Sequence, residues 1–154
     1  MTATLMEKGL SKTIKNYWAS LMEKNLARYL PYKGKTIYLG RDEKTWCFQK
    51  DEIALFIIFK TNQKGASEFT IELAWSKKMR FPELPQRPSL VSKDELENPN
   101  KYEEATFRIT EFNEYNDNYL GGFIRISSRD FESVLDEQMK ILLEQGIPYL
   151  EGIQ

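Results

Sequence analysis

Ile53-Ala54-Leu55-Phe56-Ile57-Ile58-Phe59 is the stretch whose reading decides the fold. It is unbroken apolar sequence rich in β-branched and aromatic residues, which marks a strand near the middle of a sheet, covered on both faces. It is also far too short to cross a bilayer. Downstream, Thr61-Asn62-Gln63-Lys64-Gly65 has turn chemistry, with Gly65 free to take positive φ. Phe69 to Trp75 then alternates: Phe69, Ile71, Leu73 and Trp75 fall on one face, Thr70 and Glu72 on the other. Upstream, Thr45-Trp46-Cys47-Phe48 reads as a strand closed by Lys50-Asp51-Glu52. Before it, Thr36 to Leu39 reads as another, followed by a charged turn at Arg41-Asp42-Glu43-Lys44. Connections this short imply an antiparallel meander.

Further out the period becomes helical. Leu10, Ile14, Trp18, Leu21 and Met22 recur at steps of three and four, and Leu26, Tyr29 and Leu30 continue the stripe until Pro31 and Gly34. A helix over about residues 10–30 follows. Near the other end, Phe131, Val134, Leu135, Met139, Leu142 and Leu143 share one side of a helix over about 129–145. Ser127 or Ser128 is its expected cap, and Gly146 and Pro148 its expected stop. Between sheet and last helix, Ala105 to Phe112 alternates as a strand, Asn113 to Asn118 is a polar turn, and Phe123 to Ile126 is its expected partner strand. Residues 77–101 form a long irregular connection broken by Pro82, Pro85, Pro88 and Pro99, with room for a short helix at Lys93 to Leu96.

The expected architecture is α+β: an N-terminal helix, an antiparallel sheet of five or six strands, and a C-terminal helix packed on the sheet. At 154 residues the chain forms one domain, 1–154. Trp18, Phe56, Ile58, Phe69, Ile71, Trp75, Leu135 and Leu142 are the expected core.

Composition excludes several chemistries. There is no histidine, so the commonest general base, metal ligand and pH switch are missing. The single cysteine, Cys47, can make neither an internal disulfide nor a Cys/His zinc site, and its place between Trp46 and Phe48 suits a small buried side chain better than a nucleophile. Twenty-two basic residues against twenty-three acidic ones provide no global field for nucleic acid or anionic lipid. The N-terminus lacks the pattern of a secretory signal, so a cytoplasmic setting is expected. Asp42-Glu43-Lys44 matches the acid-x-lysine half of a metal-dependent nuclease site, but it falls where a solvated turn is expected. Gly121-Gly122 lacks the lysine and hydroxyl residue of a phosphate loop. No cofactor, metal site or catalytic residue is expected.

Two surface features favour binding. Pro82, Pro85 and Pro88 repeat every third residue, the period of a polyproline II helix, beside Arg80 and Arg87. Lys77, Lys78, Arg80 and Arg87 carry four positive charges there against Glu83 alone, next to Phe81. A second candidate is the acidic turn with Glu111, Glu114 and Asp117, suited to a basic partner. The candidate partner-binding residues are therefore Lys77, Arg80, Phe81, Arg87, Glu111, Glu114 and Asp117.

Phe69 to Ser76, followed by Arg80-Phe81-Pro82 and Arg87-Pro88-Ser89, resembles a pattern in small bacterial proteins of unknown function. The ending Gly146-Ile147-Pro148-Tyr149-Leu150 is similar to their helix-then-IPYL finish. The likeness spans roughly two-thirds of the chain in order of elements, through short and mostly structural motifs. Some such α+β domains resemble immunity proteins encoded beside polymorphic toxins. The resemblance implies a fold and a bacterial context; with catalytic chemistry missing and aromatic and charged surface present, the expected function is a non-enzymatic protein-binding domain of the immunity or antitoxin type that neutralises a cognate toxin. A metal-dependent nuclease-like enzyme and an accessory subunit of a phage or bacterial defence complex are the alternatives.

Overall fold

The computed structural model describes residues 4–26, 36–37, 43–50, 52–61, 68–78, 91, 95–112, 123–127 and 129–154. In chain order these form α1 (Thr4–Asn25), β1 (Thr36–Ile37), β2 (Glu43–Lys50), β3 (Ile53–Thr61), β4 (Glu68–Ser76), two 3-10 turns (Glu95–Glu97 and Pro99–Lys101) and β5 (Glu104–Arg108). A third 3-10 turn (Ile109–Phe112), β6 (Ile124–Arg125), α2 (Phe131–Ile141), a π-turn (Leu142–Gly146) and α3 (Ile147–Glu151) follow. The sheet runs β1-β2-β3-β4-β5, every pairing antiparallel, with β6 also on β4. The α+β reading holds.

The apolar run Ile53 to Phe59 is the central strand, and all seven side chains are buried. All eight expected core residues are buried too, but on two faces. Ile57, Phe59, Phe69, Leu73, Trp75 and Phe107 belong to the large core under the helices, where Trp18 of α1 stacks on Phe59 at 5.7 Å and Phe59 on Phe69 at 5.4 Å. Phe56 and Ile58 join Cys47, Ala54 and Ala74 in a small cluster on the opposite face. The strand period of two sends alternate residues to these separate clusters.

Several boundaries differ from the sequence reading, each for a local reason. Helix α1 starts at Thr4 rather than 10 and closes at Asn25, whose Nδ2 donates to the Leu21 carbonyl at 2.9 Å. Tyr29 and Leu30 lie outside the described residues. Glu43 and Lys44 are strand rather than turn, because β2 extends to pair them with Lys60 and Phe59. The strand expected through Phe112 stops at Arg108, where the chain turns into 3-10 geometry. That turn packs the Phe112 ring edge-on against Phe107 at 5.4 Å. The β6 segment does not pair with β5. It takes up the same edge of β4 further along, Phe69 opposite Ile124, while β5 covers Glu72 to Ser76. Of the expected short helix, Glu95–Glu97 is a 3-10 turn and 92–94 are outside the described residues.

At the last helix, Asp130 occupies the position before the first turn, not a serine. Ser127 instead braces the approach: its N–H and Oγ donate to Asp130 Oδ1 at 2.7 and 2.8 Å, and its Oγ accepts the Arg129 N–H at 3.3 Å. These bonds, the backbone one first, hold the Asp130 carboxyl below its ordinary range. Gly146 and Pro148 do not stop the helix. The Ile147 N–H reaches back to the Leu142 carbonyl, the five-residue step of a π-turn, and Pro148 then falls in the first turn of α3. Gly146 has ordinary helical angles, φ −68° and ψ −53°. Its role is space: a Cβ would lie 2.8 Å from Leu73 Cδ2 and 3.0 Å from Leu142 Cδ1. Glycine thus lets the π-turn press against β4.

Among the described residues, no helix is long and apolar enough to cross a membrane.

Candidate functional site

The face of the sheet away from the helices gathers the polar groups. Strand register arranges it in rows. Glu43, Lys60 and Thr70 make one row; Thr45, Ile58, Glu72 and Arg108 the next; Cys47, Phe56, Ala74 and Thr106 a third; Ala54, Ser76 and Glu104 the last. The centre is therefore apolar and the ends polar. Lys60 Nζ meets Glu43 Oε1 at 3.6 Å, Arg125 Nε meets Glu68 Oε1 at 3.5 Å, and Ser76 Oγ donates to Glu104 Oε2 at 2.7 Å. Glu72, only 3% exposed, lies in register between Ile58 and Arg108. The Arg108 guanidinium sits 5.9 Å from the Phe123 ring centre, an attractive cation–π arrangement.

This face holds four of the six buried side-chain atoms left without a hydrogen-bond partner among the described residues; the other two are Trp18 Nε1 on α1 and Gln138 Oε1 on α2. Thr45, Thr70 and Thr106 hydroxyls and Arg108 Nε have no hydrogen-bond partner among the described residues. The three hydroxyls sit on three strands and in three different rows, so they do not converge on one point. Cys47, fully buried in the same face, has its thiol pushed up to about 12 by desolvation, which suppresses the nucleophilic thiolate.

The acid-x-lysine motif runs into β2, and only its last two positions are described. Glu43 projects to the polar face towards Lys60, whereas Lys44 is in register with Phe59 and lies 5.2 Å from the Trp46 ring centre on the helix-bearing side. Asp42 is outside the described residues. No three His, Cys, Asp or Glu side chains gather as metal ligands among the described residues.

Of the expected partner-binding residues, two can be placed. Lys77 follows β4; its N–H donates to the Glu103 carbonyl at 2.8 Å and its Nζ to the Asn100 carbonyl at 3.3 Å. It lines a pocket with Lys50, Glu52, Ile53, Ile153 and Gln154. Lys50 Nζ there donates to the Glu151 carbonyl, tying β2 to α3. Glu111 belongs to the 3-10 turn after β5 and is half-buried. Lys77 sits beside the start of β5 and Glu111 beyond its end, so β5 separates them by roughly 17 Å of strand. They are not parts of one site. Arg80, Phe81, Arg87, Glu114 and Asp117 lie outside the described residues.

Glu111 has company that the sequence reading missed. Leu96 and Glu97, Glu111 and Phe112, and Gln145 line a cleft of about 250 Å³. They come from two 3-10 turns and the π-turn, three segments scattered over fifty residues of sequence. No periodicity links them, and no short motif could have announced them.

Compared with known proteins, the chain matches no family, no curated protein and no solved structure.

Proposed function

We propose that this chain is a non-enzymatic protein-binding domain of the immunity or antitoxin type, which neutralises a cognate bacterial toxin by occluding it. The observation that carries this reading is the cleft at Glu111: an acidic side chain at the mouth of an apolar-floored recess, held by a rigid sheet-and-helix frame. Acidic groups on a preorganised surface suit a partner with a basic cleft, steering its approach and excluding wrong partners. The polar face supports the same reading from the other side. Its charges at Glu43–Lys60 and Glu68–Arg125 are taken up in cross-strand ion pairs, which favour a fixed scaffold over a poised acid and base.

The test is co-expression of the product of the adjacent gene with and without this chain. The expected outcome is growth arrest relieved only when this chain is present, with a saturable complex of the purified pair in calorimetry. Arrest that this chain does not relieve, together with no heat of binding, overturns the reading.

One observation favours a metal-dependent nuclease-like enzyme: Glu43 and Glu72 share a sheet face with Lys60 between them. Such an enzyme would bind Mg²⁺ or Mn²⁺ and cut nucleic acid, and both properties would vanish in Glu72→Ala. Finding that pair of results would establish the second reading in place of the first.

A further inference from the structure

We propose that the cleft lined by Leu96, Glu97, Glu111, Phe112 and Gln145 is the receptor for one arginine side chain of the partner protein. The proposal rests on the protein-binding reading above and names the chemistry of the contact.

Size is the first argument. At about 250 Å³ the cleft falls below the range that encloses a drug-sized ligand, roughly 300–1,000 Å³, and suits a single inserted side chain. Chemistry is the second. Leu96 and the half-buried Phe112 ring form an apolar floor, able to cover the aliphatic stem of a long basic side chain. Around that floor stand the Glu97 and Glu111 carboxylates and the Gln145 amide. None of the three has a hydrogen bond or ion pair to another described residue. Two unpaired acceptors of like charge beside an aromatic ring are an arrangement that a cation completes. Glu111 is half-buried, so the field there is less screened than on open surface.

Rigidity is the third. Tyr149 Oη donates to the Leu96 carbonyl at 3.0 Å, fastening the 95–97 turn to α3. The Phe112 ring is held between Phe107 at 5.4 Å and Tyr149 at 5.8 Å. Gln145 is carried by the π-turn, whose wider step places it where a regular helix would not. The 95–97 turn and the Phe112 ring are therefore fixed before a partner arrives, which lowers the entropy lost on binding, while the exposed Glu97 and Gln145 side chains order with the partner.

Arginine fits better than lysine. A planar guanidinium offers several N–H donors in a fixed fork, enough for two carboxylates and an amide oxygen, and it stacks on an aromatic face. A lysine ammonium is a compact, strongly hydrated point charge that uses neither the ring nor the fork.

The probe is the peptide acetyl-Gly-Arg-Gly-amide, titrated into the ¹⁵N-labelled full chain and followed by NMR, with the citrulline and lysine peptides alongside. The arginine peptide is expected to shift the amides of residues 96, 97, 111, 112 and 145 saturably. The lysine peptide shifts them less, and citrulline, isosteric and neutral, leaves them in place. The double variant Glu97→Gln/Glu111→Gln weakens arginine binding about tenfold or more, a change of about 1.4 kcal/mol. Glu137→Gln, on an exposed position of α2, leaves it unchanged. Equal binding by the double variant, equal loss in Glu137→Gln, or equal shifts with citrulline overturns the proposal. If the adjacent-gene product binds wild type and double variant alike, the cleft proposal falls and the protein-binding reading stands. If the arginine peptide docks at the cleft and that product binds neither form, the immunity reading alone falls.

Discussion

The two faces of the sheet are buried by different physics. On the helix-bearing face, Phe59, Phe69, Leu73, Trp75 and Phe107 pack against Trp18 of α1, against α2 and against the π-turn as one continuous apolar core, with Trp18 Nε1 and Gln138 Oε1 the buried polar atoms on that side without a described partner. On the other face only Cys47, Ala54, Phe56, Ile58 and Ala74 form an apolar cluster, and around it lie ion pairs and threonines whose hydroxyls find no described partner. The lesson is that a buried side chain is not by itself a stabilising one. Removing apolar surface from water stabilises in proportion to area, whereas burying a hydroxyl stabilises only if its hydrogen bond is replaced.

That contrast can be broken most forcefully at Leu142, fully buried against the Gly146 turn on the helix side. Leu142→Ala is expected to lose about 2–5 kcal/mol, from the transfer of its methyl groups and the cavity left behind. A chemical-denaturation midpoint that does not move would show that the helix-bearing face is not the stabilising one.

Alkaline pH separates the faces next. Tyr17 is raised to about 12, first by its 2.7 Å hydrogen bond to Asp136. Tyr149 is raised to about 12 by burial, and Cys47 on the polar face likewise to about 12. For each, the folded chain holds its proton more tightly than the unfolded chain. Their contribution to stability is therefore complete below about pH 9 and is lost as pH rises through about 12. Denaturation curves from pH 8 to 11.5 are expected to show falling stability. Tyr149→Phe should remove part of the fall and Cys47→Ala another part. A slope untouched by Cys47→Ala would mean that the thiol is not desolvated as described.

Smaller effects sharpen the account of the polar face. Lys60 is about one-third exposed where it meets Glu43, so a double-mutant cycle with Glu43→Gln and Lys60→Met should give a coupling of about 0.2–1 kcal/mol, weakening in 1 M salt. A coupling well above that range, and insensitive to salt, would make the pair part of a buried network. The smallest effect is expected at Thr70, fully buried with its Oγ1 unpartnered among the described residues. Thr70→Val replaces a hydroxyl by a methyl of similar shape and should be neutral or slightly stabilising, within about 1 kcal/mol. A loss of 2 kcal/mol or more would show that the hydroxyl has a bonded partner after all, and the contrast between the faces would narrow accordingly.

By itself the sequence determined the sheet and the identity of its core. An unbroken apolar run at Ile53 to Phe59 can only be central, and strict alternation at Phe69 to Trp75 assigns faces, because strand side chains point to opposite sides at every step. Composition likewise determined which chemistries the chain lacks the residues for. What only the tertiary structure decided is how elements end and what their ends bring together. Gly146 and Pro148 read locally as a helix stop, yet the space needed beside Leu73 and the π-turn step to Leu142 carry the helix through to Glu151. Ala105 to Phe112 reads as one strand, yet its last four residues curl so that Phe112 can reach Phe107 and Tyr149. Glu111 was visible as an acidic residue in a candidate surface, but its neighbours Glu97 and Gln145 were not. Local propensity concerns residues a few positions apart, whereas a cleft is made by packing between segments distant along the chain.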